Sequence, residues 1–212
     1  MEKILRGVRK FHDEVFPKQR HHFKQIASQQ RPRALFITCS DSRVHPNLIT
    51  QTEPGDLFIL RNPGNIIPAY HAGQDSEAAT IEYAVRVLDV EDIILCGHSN
   101  CGAMIALLEN GKSDTLPAVS RWLHYAEGTR RVAEVTTFDR PAEERLETII
   151  RQNVLVQLDH LRTHPSVAAK LAQGTLRLHG WIYDIGSGDV SAYQPERRKF
   201  VSLAHAESEV RS

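Results

Sequence analysis

An α/β domain, with a mainly parallel β-sheet flanked by helices, is the fold class this sequence predicts. Three observations predict it. Short apolar runs of strand length, among them ALFITC, LFIL and IILC, alternate with stretches whose apolar residues recur at helical period. The connections are turns rich in Gly, Pro, Asn and Asp, such as EPGD, RNPGN and GHSNCG. From Arg33 onward the order strand, helix, strand repeats, as in parallel βαβ units. At 212 residues the chain suits one domain with a sizeable core. We read 1–212 as that single domain, with 1–30 as an N-terminal helical arm and 204–212 as a flexible tail.

In the arm, Leu5, Val8, Phe11 and Val15 recur at helical spacing. Pro17 is expected to break that run, and a second helical segment continues to Gln30. The arm carries too little apolar surface to fold alone, so it is expected to lie across the body or a partner subunit. Arg33 to Cys39 reads as the first strand, bounded by Pro32. Pro46 suits the first turn of a short helix, HPNLITQ. After the turn Glu53-Pro54-Gly55-Asp56, Leu57 to Leu60 reads as a second buried strand. Asp75 to Val87 predicts a helix with Ala79, Tyr83 and Val87 on one face. Asp92 to Leu95 is the third strand, and Cys101 to Leu108 the helix after it.

Leu116 to Tyr125 and Arg145 to Leu161 read as further helices. In the second, Leu146, Ile149, Ile150, Val154, Leu158 and Leu161 form an apolar stripe. Pro165 opens a short helix that Gly174 ends. Thr175 to Ile185 alternates as a strand, and Gly186-Ser187-Gly188 turns it into Val190 to Tyr193.

Composition narrows the functional classes. The 26 basic and 26 acidic residues balance, which favours neither nucleic acid nor an anionic membrane as a partner. The longest apolar runs fall far short of a membrane span, and the first residues lack the apolar core of a signal peptide, so a cytoplasmic location is expected. The 3 cysteines, Cys39, Cys96 and Cys101, are too few for a disulfide framework and point to metal or redox chemistry.

Two strand-to-turn junctions carry that chemistry. LFITCSDSR presents Cys39, Asp41 and Arg43, and DIILCGHSNCGAM presents His98 and Cys101. In neighbouring parallel strands both junctions open at one carboxyl edge, where ligands of such sheets bind. Two thiols and an imidazole then converge, a donor set that suits one zinc ion per chain. Three ligands leave a fourth position open, which marks a catalytic site that activates water. A closed structural site would need four Cys or His ligands, and a redox site a Cys-x-x-Cys pair or a resolving thiol. Cys96, at the end of a strand, reads as a core residue.

Asp41 and Arg43 stand two residues apart and can pair, which keeps the carboxylate ionised and oriented. Beside the metal, Asp41 can accept the hydrogen of a zinc-bound hydroxide and aim its lone pair at an electrophile. It can also occupy the fourth position itself until Arg43 draws it away. Backbone N–H groups after Cys101, especially that of Gly102, can support charge developing on the substrate. Zinc with two thiolates and one neutral imidazole has no net charge, so it should acidify water less than a zinc held by three histidines. Activity is therefore expected to rise with pH above neutrality.

CSDSR and GHSNCG together resemble the β-class carbonic anhydrases. So do LFILRNPGNIIP, SEAATIEYAV and LHGWIYD, and the resemblance runs from the arm to about Leu203. It implies zinc on Cys39, His98 and Cys101 with the Asp41–Arg43 dyad beside it. It implies reversible hydration of carbon dioxide to bicarbonate and a proton. It also implies a homodimer as the minimum unit, often assembled into tetramers or octamers.

In the plant-like, open type of that family, a glutamine at the position of Gln30 reaches into the site. Aromatics at the positions of Phe58 and Tyr83 line the carbon dioxide pocket, partly across the dimer interface. The bicarbonate-regulated, closed type has a tryptophan where this chain has Phe36, so the resemblance implies the open type with Asp41 off the metal. Val87 replaces a histidine assigned there to proton transfer. GHSNCGAM, LPAVSRWLHYAEG and THPSV look closest to the carbonic anhydrases of bacterial cyanate operons, which implies bicarbonate supply to cyanate metabolism. Two other readings compete: a carbonyl sulfide or carbon disulfide hydrolase on the same scaffold, and a catalytically silent bicarbonate-binding or structural zinc protein. The intact dyad speaks against the silent protein.

Overall fold

The computed structural model describes residues 1–71, 76–109 and 115–204. A 6-stranded sheet runs through it in the order β2-β1-β3-β4-β5-β6. Strand β1 (Ala34–Cys39) lies between β2 (Leu57–Asn62) and β3 (Asp92–His98), parallel to both. Strand β4 (Arg177–Tyr183) is parallel to β3, and β5 (Val190–Gln194) and β6 (Lys199–Ser202) continue antiparallel. The mainly parallel α/β domain is therefore as expected.

Every residue of β1 is buried, which is why ALFITC is apolar without alternation: a central parallel strand is covered on both faces. Leu35 and Ile37, with Ile93 and Leu95 of β3, join the larger core. Phe36, Ile94 and Cys96 face the other way, against Trp181 and Tyr183. Each fully buried Leu, Ile or Phe here stabilises the fold by roughly 1.5–3 kcal/mol relative to exposure. The predicted stripe on α8 (Ala142–Thr163) holds: Ile149, Ile150, Val154, Leu158 and Leu161 are buried, and Leu146 packs at the edge. Gly180 of β4 lets this helix close on the sheet, because a Cβ there would stand 2.9 Å from both Leu158 and Val154.

Around the sheet lie α3 (Pro46–Thr50), α4 (Ser76–Arg86), α5 (Gly102–Leu108), α6 (Pro117–Leu123), α7 (Glu127–Thr137) and α9 (Pro165–Ala172). Gly174 follows α9 at φ +71°, the left-handed end expected there. No helix among the described residues is long and apolar enough to cross a membrane.

Several expectations need correction. Pro17 does not break the arm. Helix α1 (Glu2–Lys10) passes through a π-helical turn, Phe11–Val15, into α2 (Phe16–Ile26), and Phe16 N–H bonds the Phe11 carbonyl. The widened turn leaves Pro17 in the first turn of α2, where its missing N–H costs nothing. Strand β2 is not a buried strand: it forms the sheet edge, and its Ile59 is 36% exposed. The shared face of Ala79, Tyr83 and, just past the end of α4, Val87 is as expected; it is exposed, and the core face is made by Ile81, Ala84 and Val85. Asp75, read as the start of that helix, and 205–212, most of the expected tail, lie outside the described residues.

Two elements were not expected. The buried residues of α7 are Thr129, Ala133 and Thr137, too small and polar to make an apolar stripe. Strand β6, KFVS, pairs on one side only and is partly buried, so it lacks a strong strand pattern.

None of the residues in α1, the π turn or α2 is buried, and Ile4, Leu5, Val8 and Phe11 are exposed. The rings of Phe11, Phe16 and Phe23 cluster with one another. Contact with the body runs through α2, where His22 Nε2 donates to the Pro54 carbonyl at 2.8 Å, Gln19 Nε2 to Glu53 Oε2 at 3.5 Å, and Ile26 lies against Gly55.

Candidate metal centre

The register brings the two junctions together. Thr38 pairs with Cys96 across β1 and β3, so Cys39 and His98 leave the sheet side by side at its carboxyl edge. Cys101 caps α5 with extended backbone, after Asn100 has turned the chain at φ +55°, a conformation asparagine tolerates. The donor atoms of Cys39, His98 and Cys101 all lie within 4.8 Å of one another, and all three residues are buried.

This set fits a tetrahedral metal ion. The Cys39 and Cys101 sulfurs stand 4.0 Å apart. Two Zn–S bonds of ~2.3 Å at a tetrahedral angle place sulfurs ~3.8 Å apart. His98 Nδ1 is 2.9 Å from the Ser99 carbonyl, which can only accept, so Nδ1 carries the proton and Nε2 presents a lone pair. That Nε2 is buried and has no hydrogen-bond partner among the described residues. A buried orphan nitrogen is costly unless it is a ligand.

The Cys39 and Cys101 thiols lie within hydrogen-bond reach of each other. Donation from Cys101, with the Gly64 N–H at 3.3 Å, draws Cys39 down to about 4, while Cys101 is pushed up. A dication in place of the Cys101 proton would leave two thiolates. Cys96 is different. It is fully buried on the other face of the sheet, and burial pushes its thiol up to about 12, as befits a core residue.

Asp41 and Arg43 form the expected dyad. Arg43 Nε donates to Asp41 Oδ1 at 2.9 Å and Nη2 to Oδ2 at 2.7 Å, and the Arg43 backbone N–H adds a third bond to Oδ1 at 2.9 Å. These donors hold the Asp41 carboxyl well below the usual carboxylate range. Asp41 Oδ2 lies 3.9 Å from His98 Nε2, at the mouth of the donor set. Arg43 Nη2 also donates to the Asn100 carbonyl at 3.2 Å, which joins the two junctions.

Arg61 was missed at the sequence level. From β2 its guanidinium donates to the carbonyls of Cys39 at 3.2 Å, Asp41 at 2.7 Å and Val44 at 2.9 Å, bracing the CSDSR loop. The available signal was an arginine directly after the apolar run LFIL. Gly64 was noted only as part of a turn. At φ +79°, with an added Cβ 2.9 Å from Ala103, only glycine fits there.

The expected substrate residues are less concentrated. Phe58 and Tyr83 stack with ring centroids 5.9 Å apart, and Tyr83 is 43% exposed. Gly102 begins α5 on the exposed side of the site. Gln30 is exposed in the connection between α2 and β1, and no contact found among the described residues joins it to the three donors.

The family model described as carbonic anhydrase matches residues 34–190. A carbonic anhydrase of Pseudomonas aeruginosa is 50% identical over 204 residues, covering 96% of this chain and 92% of that protein. The solved β-carbonic anhydrase CcaA superposes with a TM-score of 0.93 at 46% identity, over 95% of this chain and 98% of that one. One of two β-carbonic anhydrases described as tetrameric, from the ascomycete Sordaria macrospora, gives a TM-score of 0.82 at 31% identity, over 90% of this chain and 95% of that one.

Proposed function

The chain belongs to the β-class carbonic anhydrase family, and from that premise we propose that it hydrates carbon dioxide reversibly to bicarbonate and a proton, with one zinc ion on Cys39, His98 and Cys101. The observation that carries this reading is the orphan Nε2 of His98, buried between two thiols and 3.9 Å from a carboxylate.

Zinc in this donor set supplies the Lewis acidity that makes water nucleophilic. The residues of the chain do the rest. Asp41, ionised and fixed by three donors from Arg43, offers Oδ2 as a hydrogen-bond acceptor that orients the nucleophile at the mouth of the site. Engagement of both its oxygens by Arg43 supports the open arrangement, with Asp41 off the metal. Arg61 keeps the loop under Asp41 from relaxing. Gly102 N–H is assigned to the charge developing on the substrate. Phe58 pairs with Leu35, away from the edge where Cys39 leaves the sheet, so Phe58 and Tyr83 are assigned as an apolar wall, suited to an uncharged, linear molecule, to the site of a second copy across the dimer interface. Gln30 is assigned to the site of a second copy, since it lies exposed in its own chain.

The exposed arm and the outward row of Tyr83 and Val87 support a homodimer as the minimum unit, with a tetramer as the fuller assembly. We assign the enzyme to the cytoplasm. Its sequence likeness to the carbonic anhydrases of cyanate operons supports bicarbonate supply to cyanate metabolism as its role. Hydrolysis of carbonyl sulfide or carbon disulfide would use the same donors, and no feature of the site favours it.

Stopped-flow hydration of carbon dioxide, run alongside zinc analysis and a carbonyl sulfide assay, tests the proposal. The expected result is hydration at one zinc per chain, with little sulfur-substrate turnover. Zinc without hydration at any pH would overturn it.

A further inference from the structure

We propose that Asn153 is a positioning residue for the metal ligand Cys39, acting through the backbone conformation of Gly64. The inference rests on the metal reading above. Asn153 is 1% exposed, on the buried face of α8. Its Oδ1 accepts from Gln157 Nε2 at 3.1 Å and from Thr129 Oγ1 at 3.3 Å. With the oxygen so engaged, the amide can face only one way, and Nδ2 donates to the Gly64 carbonyl at 2.9 Å.

Gly64 is the residue whose N–H points at the Cys39 sulfur from 3.3 Å. Its other side is closed, since an added Cβ would press on Ala103 and Met104 of α5, the helix that Cys101 caps. The N–H belongs to the Pro63–Gly64 peptide, whose carbonyl accepts from Trp122 Nε1 at 2.7 Å, and Asn153 holds the next peptide at the Gly64 carbonyl; pinned on both sides and walled by α5, Gly64 keeps its N–H on the sulfur. A donor fixed on a thiolate tunes its charge and orientation, and outer partners of this kind typically change metal affinity by about 10–100-fold.

The rest of α8 holds the chain beyond Gly64 by the same means, but farther from the sulfur. Gln157 Oε1 accepts from Ile67 N–H at 2.8 Å, His160 Nδ1 donates to the Ile67 carbonyl at 2.7 Å, and Thr163 Oγ1 accepts from Tyr70 N–H at 2.8 Å. His160 therefore supplies a control that loosens the strap without touching Gly64.

The test uses the full chain loaded with zinc or cobalt. Asn153→Asp removes the donor to Gly64 and places an oxygen against its carbonyl. Zinc affinity by chelator competition should fall about 10-fold or more, and the thiolate-to-cobalt charge-transfer band should shift. His160→Ala should lower the melting temperature and leave affinity within about twofold and the band in place. If Asn153→Asp does not fold, Asn153→Ser drops the donor without adding charge and should give the same result. Parent-like affinity and spectrum in the Asn153 variant, or equal weakening in Asn153→Asp and His160→Ala, would overturn the inference alone. Failure of the parent to bind either metal would instead overturn the metal reading beneath it.

Discussion

Asp41 is bound by Arg43 through both carboxylate oxygens, yet keeps Oδ2 3.9 Å from the unpartnered Nε2 of His98. The carboxylate is thus both withheld from the donor set and aimed at whatever occupies it. Asp41→Asn should keep one zinc per chain and lose about 10²- to 10⁴-fold in kcat, the usual range for a general acid or base. Zinc lost together with activity would instead make Asp41 a ligand.

The pH profile separates two titrations. Asp41 has a folded pKa below its unfolded value of 3.8, so it is ionised throughout any assay above pH 6. Its contribution to stability is present above the unfolded value and lost as pH falls toward the folded one. With zinc held by Cys39, His98 and Cys101, a rise in hydration rate between about pH 6.5 and 9 would be assigned to the metal's effect on water and not to Asp41. Asp41→Asn should lower the profile and keep its midpoint. A midpoint moved by a full unit would tie the rise to the dyad.

The cysteines should divide cleanly. Cys101→Ser should bring bound zinc to about a tenth of parent or less, because a thiolate ligand is gone. Cys96→Ala should keep full zinc and activity and cost about 1 kcal/mol in urea unfolding, for a small cavity beside Phe36 and Trp181. Zinc loss on changing Cys96 would contradict its place on the far face of the sheet.

The arm carries the assembly prediction. Val8→Asp, on the exposed face of α1, should leave the fold intact by circular dichroism and shift the light-scattering mass toward smaller species. An unchanged mass would move the dimer interface elsewhere.

Much of this was legible in the chain because strand ends and sites coincide in parallel sheets. ALFITC and DIILC announced buried central strands, and residues at or just past their carboxyl ends became the donor set. The stripe of α8 was readable because its buried residues are large and aliphatic. Helix α7 was not, because Thr129, Ala133 and Thr137 do its packing. Arg61 and Asn153 escaped for another reason. Their partners are backbone carbonyls, distant in sequence, and no spacing rule records which carbonyl a side chain will find. The outward row of α4 is a third case: the spacing of Ala79, Tyr83 and Val87 located a face of the helix and said nothing of whether that face turns inward.

The chain order of the site carries a consequence for how the protein is made. Cys39, His98 and Cys101 all precede α8, the helix that holds Gly64 and closes over the sheet. The chain is synthesised from its N-terminus, while a domain generally folds as a unit. The thiols and the imidazole are thus synthesised, and free to meet an ion, before the segment that seals them has left the tunnel. An ion supplied during translation would meet the three donors before α8 is in place, and one supplied afterwards would meet them behind the Asp41–Arg43 pair.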